Sequence, residues 1–473
     1  SGIVDFENKD NSLALNFFSS SKILTNNHDP YLKKYIYSLV LENKITQAIN
    51  LIKKNQTESN TNFFDAYILL IIDSLKKNDL KKANSYLREI DNLGQKDRLN
   101  SAISESLRQY LYVFKEKKIL ENKKNFGRLS IISETFEKCF LNDIVTDKYF
   151  TRLINDPESD YTRYIYFYLS YLVENERIDE AKKIVEGVKY INTTLLLSQG
   201  KYWIENENFQ KIKKVFSCKN PSDIVGEFLF LISNLYSSQD TLDKSNFYLY
   251  LSNFLNSKFI YNYSLVVENY YLNENYEKAK KTLKNFKKED NFYYWNRKKK
   301  EAQIILIQKN KKASLKFIVS EFKKIKKPNE KMIFDLANFY KRSKDYESAI
   351  MYYSKVIKNL SENPEIKSDL LYRRGGSYER SGDYFNADKD LLESLNINPD
   401  DAYVLNYLAY SWLERDHKIE EAMETGIYSK KDLLDWMKHL QEVETGLKPK
   451  NNGPAVAIQV NNYDKLMKDL MND

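Results

Sequence analysis

Small and apolar residues recur at helical spacing along most of the chain, and the helical stretches themselves recur at a fixed interval. The clearest stretch is residues 369–400. Gly375 is followed by Tyr378, the turn Gly382-Asp383-Tyr384, then Ala387, Leu391 and Leu395, and Pro399 ends it. Residues three and four apart share one face of a helix. The stretch therefore predicts two helices of about a dozen residues joined by a tight turn. Gly375 and Ala387 fall where those helices cross closely, and Tyr378 and Leu391 fill the gap between them.

The same order returns upstream as Ala337, Tyr340, Asp345-Tyr346, Ala349 and Tyr353. It returns again as Val267, Tyr270, Asn275-Tyr276 and Ala279, and as Gly200, Trp203, Asn208-Phe209 and Phe216, with Ile212 at the usual Ala position. Downstream it continues with Ala409, Trp412 and Ala422. The position equivalent to Gly375 is occupied by Gly2, Ile36, Ile71, Leu169, Gly200, Ser233, Val267, Ala302, Ala337, Gly375 and Ala409. The intervals are 34, 35, 98, 31, 33, 34, 35, 35, 38 and 34 residues. The long one is close to three periods and predicts two degenerate units over 84–160. Residues 128–160 are the least regular part, with a turn at Asp156-Pro157.

This spacing resembles the tetratricopeptide (TPR) repeat, a helix–turn–helix unit of about 34 residues. The likeness covers roughly 1–424, and the chain most resembles bacterial TPR proteins of scaffold type. It implies an all-α, TPR-type solenoid: a right-handed superhelix of about ten to twelve repeats. We divide it into an N-terminal array, 1–160, degenerate towards its end, and a C-terminal array, 161–424. A tail, 425–473, follows. In it, 430–446 reads as one amphipathic helix with Leu433, Leu434, Met437 and Leu440 at helical spacing. A Pro/Gly linker and a short terminal helix complete it.

Composition agrees with helices joined by short turns: among 473 residues there are only 12 Gly and 8 Pro. No apolar run approaches the ~18–20 residues of a membrane-spanning helix. The expectation is a soluble protein, cytoplasmic by default. A periplasmic location, with an alternative role as an envelope-assembly factor, stays open, because the chain begins at Ser1 and its native N-terminus is not in view. The cysteines Cys139 and Cys218 form no CxxC pair and have no neighbouring His. They read as buried or incidental thiols, in a number that fits a reducing compartment.

Catalytic signatures are missing. His28, His417 and His439 have no metal-ligand spacing, and no phosphate loop, dinucleotide turn or nucleophile elbow occurs. The expectation is a non-catalytic protein with no cofactor and no metal site. The net charge of +8 is mild, but 280–327 alone carries +13. Lys280, Lys281, Lys284, Lys287, Lys288, Arg297, Lys298, Lys299 and Lys300 head this basic region. It reads as a solvated outer face of second helices, and alternatively as a docking patch for RNA, an anionic membrane or an acidic protein. Tyr293, Tyr294 and Trp295 beside it fit either a core or base stacking. Nucleic acid is not the expected ligand.

The resemblance implies that first helices line a groove that takes the ligand. The register puts Phe334, Asn338, Lys341, Tyr372, Arg380, Asn406 and Tyr410 there. Aromatic area and amide hydrogen bonding suit capture of a protein or peptide. Some TPR proteins hold a C-terminal carboxylate with Lys, Asn and Arg. The matching positions here are Phe334, Asn338, Asp369 and Arg373, and only Asn338 and Arg373 agree. The sequence leaves the oligomeric state open.

Overall fold

A computed structural model describes residues 11–20, 29–55, 61–93, 97–155, 162–360 and 363–417. Gly2, His28, the Asp156-Pro157 turn, Ala422, His439 and the whole tail 425–473 lie outside them. Among the described residues there are 23 α-helices, one 3-10 turn and no strand. Ten hairpins account for twenty of the helices. They are Asp29–Leu41 with Ile45–Lys54, Phe64–Lys76 with Leu80–Asn92, Arg128–Leu141 with Thr146–Ile154, Thr162–Glu174 with Ile178–Gly187, and Leu195–Glu205 with Phe209–Val215. Pro221–Ser238 with Leu242–Leu255, Tyr263–Leu272 with Tyr276–Leu283, Asn291–Gln308 with Lys311–Phe322, Glu330–Arg342 with Tyr346–Asn359, and Pro364–Ser381 with Tyr384–Ile397 complete the set. Asn11–Ser20, Arg98–Glu116 and Ala402–Glu414 stand outside these pairs.

The turns explain the period. In eight of the ten hairpins the residue two before the second helix adopts positive φ: Asn43, Asn78, Glu176, Glu207, Asp240, Glu274, Lys344 and Gly382; Asp416 does so after the last described helix. This left-handed residue ends the first helix and reverses the chain. The next residue often caps the second helix. The Asp79, Asn275, Asp345 and Asp383 side chains each accept the backbone N–H three residues on. Every described small-position residue lies in a first helix and is buried. A Cβ on Gly375 would meet Leu391 Cγ at 3.0 Å and the Ala387 carbonyl oxygen at 3.3 Å. This is the close crossing the spacing predicts. Between Asn92 and Thr162 three helices stand where two regular hairpins need four; the 19-residue helix Arg98–Glu116 is the irregular element.

The chain forms two compact units. Among the described residues, the first runs to Gly187 and resumes over Thr194–Lys287; the second takes Val188–Thr193 and residues 288–417. In the first unit the array is not linear. The hairpin of Pro221–Ser238 and Leu242–Leu255 packs against Asp29–Leu41, Phe64–Lys76 and Arg98–Glu116, and is itself buried along almost its whole length. The polar ties span far-separated residues. Lys244 Nζ lies 2.9 and 2.8 Å from the Asp65 carboxylate oxygens, and Lys76 Nζ donates to the Phe254 carbonyl at 2.6 Å. Tyr37 stacks on Phe247 with centroids 4.8 Å apart. Arg163 forks onto Glu227 at 2.9 and 2.7 Å, fully buried, with its guanidinium 3.9 Å from the Phe230 ring centroid. A buried pair of this geometry costs several kcal/mol to break. The first-helix faces that a repeat array turns to its groove are thus covered here by the chain's own hairpin.

The cysteines correct the sequence expectation. Cys139, near the end of Arg128–Leu141, and Cys218, in the turn before Pro221, form a disulfide with Cα atoms 5.6 Å apart. They are partners and not separate thiols. The bridge fastens the turn leading into the hairpin of Pro221–Ser238 and Leu242–Leu255 to the helix Arg128–Leu141.

Candidate partner-binding surface

The described part of the second unit ends in three successive first helices: Glu330–Arg342, Pro364–Ser381 and Ala402–Glu414. These helices carry all seven groove candidates, in two clusters and one outlier.

The first cluster surrounds Tyr407, which the sequence reading did not single out. Tyr407 donates its hydroxyl to Glu379 Oε2 at 3.1 Å. Tyr372 meets the Tyr407 ring edge-on at 5.7 Å. A Cβ on Gly376 would lie 3.2 Å from the Tyr407 hydroxyl and 3.6 Å from Lys341 Nζ. Gly376 is therefore what lets Tyr407 and Lys341 approach the middle helix. Arg380 is exposed and sits with Glu379 and Tyr407; their negative and hydroxyl groups favour its charged form against desolvation. Tyr410, half-buried, has its hydroxyl pKa raised by burial and then by Glu414. Lys341, Tyr372, Arg380 and Tyr410 thus come together, with two cations and aromatic area on one surface.

The second cluster holds Phe334 and Asn338. Arg373 lies 5.2 Å above the Phe334 ring and is held by Asp369 at 3.1 and 2.9 Å. Tyr353 donates to Asn338 Oδ1 at 2.6 Å. The side chains at the carboxylate-clamp positions are thus engaged with one another: Arg373 is neutralised by Asp369, and the Asn338 oxygen is taken. Asn406 stands apart. It is 4% exposed, in the interior of the last described helix, and its Oδ1 has no hydrogen-bond partner.

The basic region divides between the units. Lys280, Lys281, Lys284 and Lys287 belong to the first, and Lys288 and Arg297 to Lys300 to the second. Arg297–Lys300 lies in a first helix, Asn291–Gln308, and not on a solvated second helix as the sequence suggests. Lys298, with an 11% exposed side chain, reaches Glu301 at 2.9 Å and Glu321 at 3.4 Å. Lys299 pairs with Asp335 at 2.9 Å, and Arg297 with Glu301 at 2.7 Å. Tyr293 and Trp295 are core residues, and the Trp295 indole donates to Asp335 at 2.8 Å. Lys331, another buried cation, donates to the carbonyls of Tyr190, Ile191 and Thr193 at 3.1, 3.2 and 2.9 Å, and burial lowers its pKa to about 8. Among the described residues no helix is long and apolar enough to cross a membrane, and no group of His, Cys, Asp or Glu is arranged to hold a metal.

No family model matches the chain, and no curated protein matches it. Among solved structures it is similar to the Cut9–Hcn1 hetero-tetramer of the APC/C, at 12% identity over 92% of this chain and 94% of that one, with a TM-score of 0.33. It is similar to yeast Tom70, at 10% identity over 92% and 97%, TM-score 0.33. It is also similar to the TPR domain of P58(IPK), at 12% identity over 100% and 98%, TM-score 0.26. The chain itself is an all-α array of helix–turn–helix hairpins.

Proposed function

We propose that the protein is a non-catalytic interaction scaffold that captures a peptide or helix of a partner on the groove side of its C-terminal hairpins. One observation carries this reading: Lys341, Tyr372, Arg380 and Tyr410, from three successive first helices, converge around Tyr407. Rigid aromatic side chains contribute contact area at low entropic cost, and the two cations supply direction. The covered first-helix faces of the first unit support its assignment as a structural base. The ion pairs of Lys298 and Lys299 weigh against an RNA-binding role for that stretch. The disulfide favours an exported form of this scaffold, in an oxidising compartment such as the periplasm.

The test is a random peptide display selection on the intact chain, followed by titration of the selected peptides. The Tyr372→Ala/Tyr410→Ala variant should bind them ~10–100-fold more weakly while keeping its helix content and a cooperative melting transition. Equal affinity in that variant would reject the groove reading.

A further inference from the structure

We propose that a cleft beside the Cys139–Cys218 bridge, in the first unit, binds an acidic peptide segment bearing an apolar side chain. The cleft is shallow and open to solvent, with a volume of about 710 Å³, within the range of ligand sites. Its floor is apolar: Ile119, Phe140 and Leu141 line it half-buried, with Phe140 edge-on to Phe114 at 4.8 Å. Its rim is cationic: Lys117, Lys118 and Lys219 line it and are exposed, and Lys117 Nζ stands 4.3 Å from the Phe140 ring centroid. The one lining carboxylate, Asp143, is already occupied. It accepts from Lys138 Nζ at 2.8 Å and from the Val145 N–H at 3.1 Å, and the hydrogen bond from Lys138 is the main cause holding its pKa below the ordinary value. Among the described residues none of the three rim lysines is held in an ion pair.

Three exposed cations around an apolar floor are complementary to an anion beside a hydrophobic group. An extended peptide can lay one apolar side chain on this floor while its acidic groups reach the rim lysines. The bridge positions the site. Cys139 immediately precedes Phe140, and Cys218 immediately precedes Lys219, so the disulfide holds one cationic wall against the floor. This inference does not depend on the groove reading, which concerns the other unit.

The probe is a fluorescein-labelled peptide, Glu-Asp-Leu-Phe-Asp-Glu, titrated by anisotropy with the full chain. Controls are the same peptide with Gly-Gly at its centre and one with Lys and Arg replacing the acids. The expected result is saturable binding of the first peptide alone, weakened by salt. In Lys118→Glu/Lys219→Glu, with helix content and melting temperature unchanged, it should weaken ~10–100-fold, from ~3–10-fold per reversed contact. Reducing the bridge should weaken it too. The proposal is overturned by an absence of saturable binding, by equal affinity in the charge-reversed variant, or by equal binding of the glycine peptide. Recruitment by the same lysines to phosphatidylserine vesicles without peptide binding overturns it in favour of a bilayer. Undiminished affinity in reduced protein that keeps its helix content removes the positioning role of the bridge.

Discussion

Reducing the Cys139–Cys218 bridge is the most informative perturbation of the first unit. The crosslink spans 79 residues, and chain-entropy reasoning for a loop of that length gives about 4.5 kcal/mol of stabilisation at 25 °C. The enclosed chain includes the buried Arg163 of the ion pair with Glu227, which lies just beyond Cys218. Reduction therefore loosens both the turn leading into the hairpin of Pro221–Ser238 and Leu242–Leu255 and the wall it rests on. For a unit of this size, ~2 °C per kcal/mol predicts a fall of ~7–10 °C in melting temperature. The assay is calorimetry or far-UV circular dichroism with and without a phosphine reductant, repeated on Cys139→Ala/Cys218→Ala. Alkylation of unfolded, unreduced protein should find no free thiol. Melting temperatures within ~1 °C of each other would refute the structural role assigned to the bridge.

Other consequences are as direct. Lys344 is exposed and holds φ at 64°; Lys344→Gly should stabilise by ~0.5–1 kcal/mol, and a lowered urea midpoint would count against the turn geometry. Lys298→Glu should cost ~2–3 kcal/mol because it sets a third carboxylate between Glu301 and Glu321, whereas exposed Lys288→Glu should change stability by less than ~0.5 kcal/mol; equal melting temperatures would contradict the pairing. Burial pushes the Asp223 carboxyl up to about 7, against the Ser217 N–H and Asn220 amide that favour its ionised form. The folded state then keeps a proton that the unfolded state releases, so stability should fall by up to about 4 kcal/mol from about pH 4 to about pH 7. Asp223→Asn should flatten that slope, and an unaltered slope would assign it to other groups.

The period was legible because it is written in local chemistry. Gly375 and Ala387 mark a helix crossing, and the residue pairs Asn275-Tyr276, Asp345-Tyr346 and Asp383-Tyr384 mark a cap and a helix start. What escaped is non-local. Nothing around Cys139 or Cys218 announces a partner 79 residues away. The fold of Pro221–Leu255 onto Asp29–Leu41 and Phe64–Lys76 depends on surfaces that meet only once the array has curved. Asn406 follows the same register as the half-buried Asn338 and Tyr372, yet it is buried. A run of lysines in sequence did not reveal that Lys298 and Lys299 are spent on Glu301, Glu321 and Asp335. Tyr407 had one signal, the second glycine of Gly375-Gly376, because a side chain is excluded there by a close neighbour.

The central claim is that the three C-terminal first helices receive the partner. Hydrogen–deuterium exchange of the intact chain, with and without a display-selected peptide, tests it most directly. The account predicts new protection in Glu330–Arg342, Pro364–Ser381 and Ala402–Glu414, lost in Tyr372→Ala/Tyr410→Ala. Protection confined to the first unit, or protection that survives that variant, would contradict it.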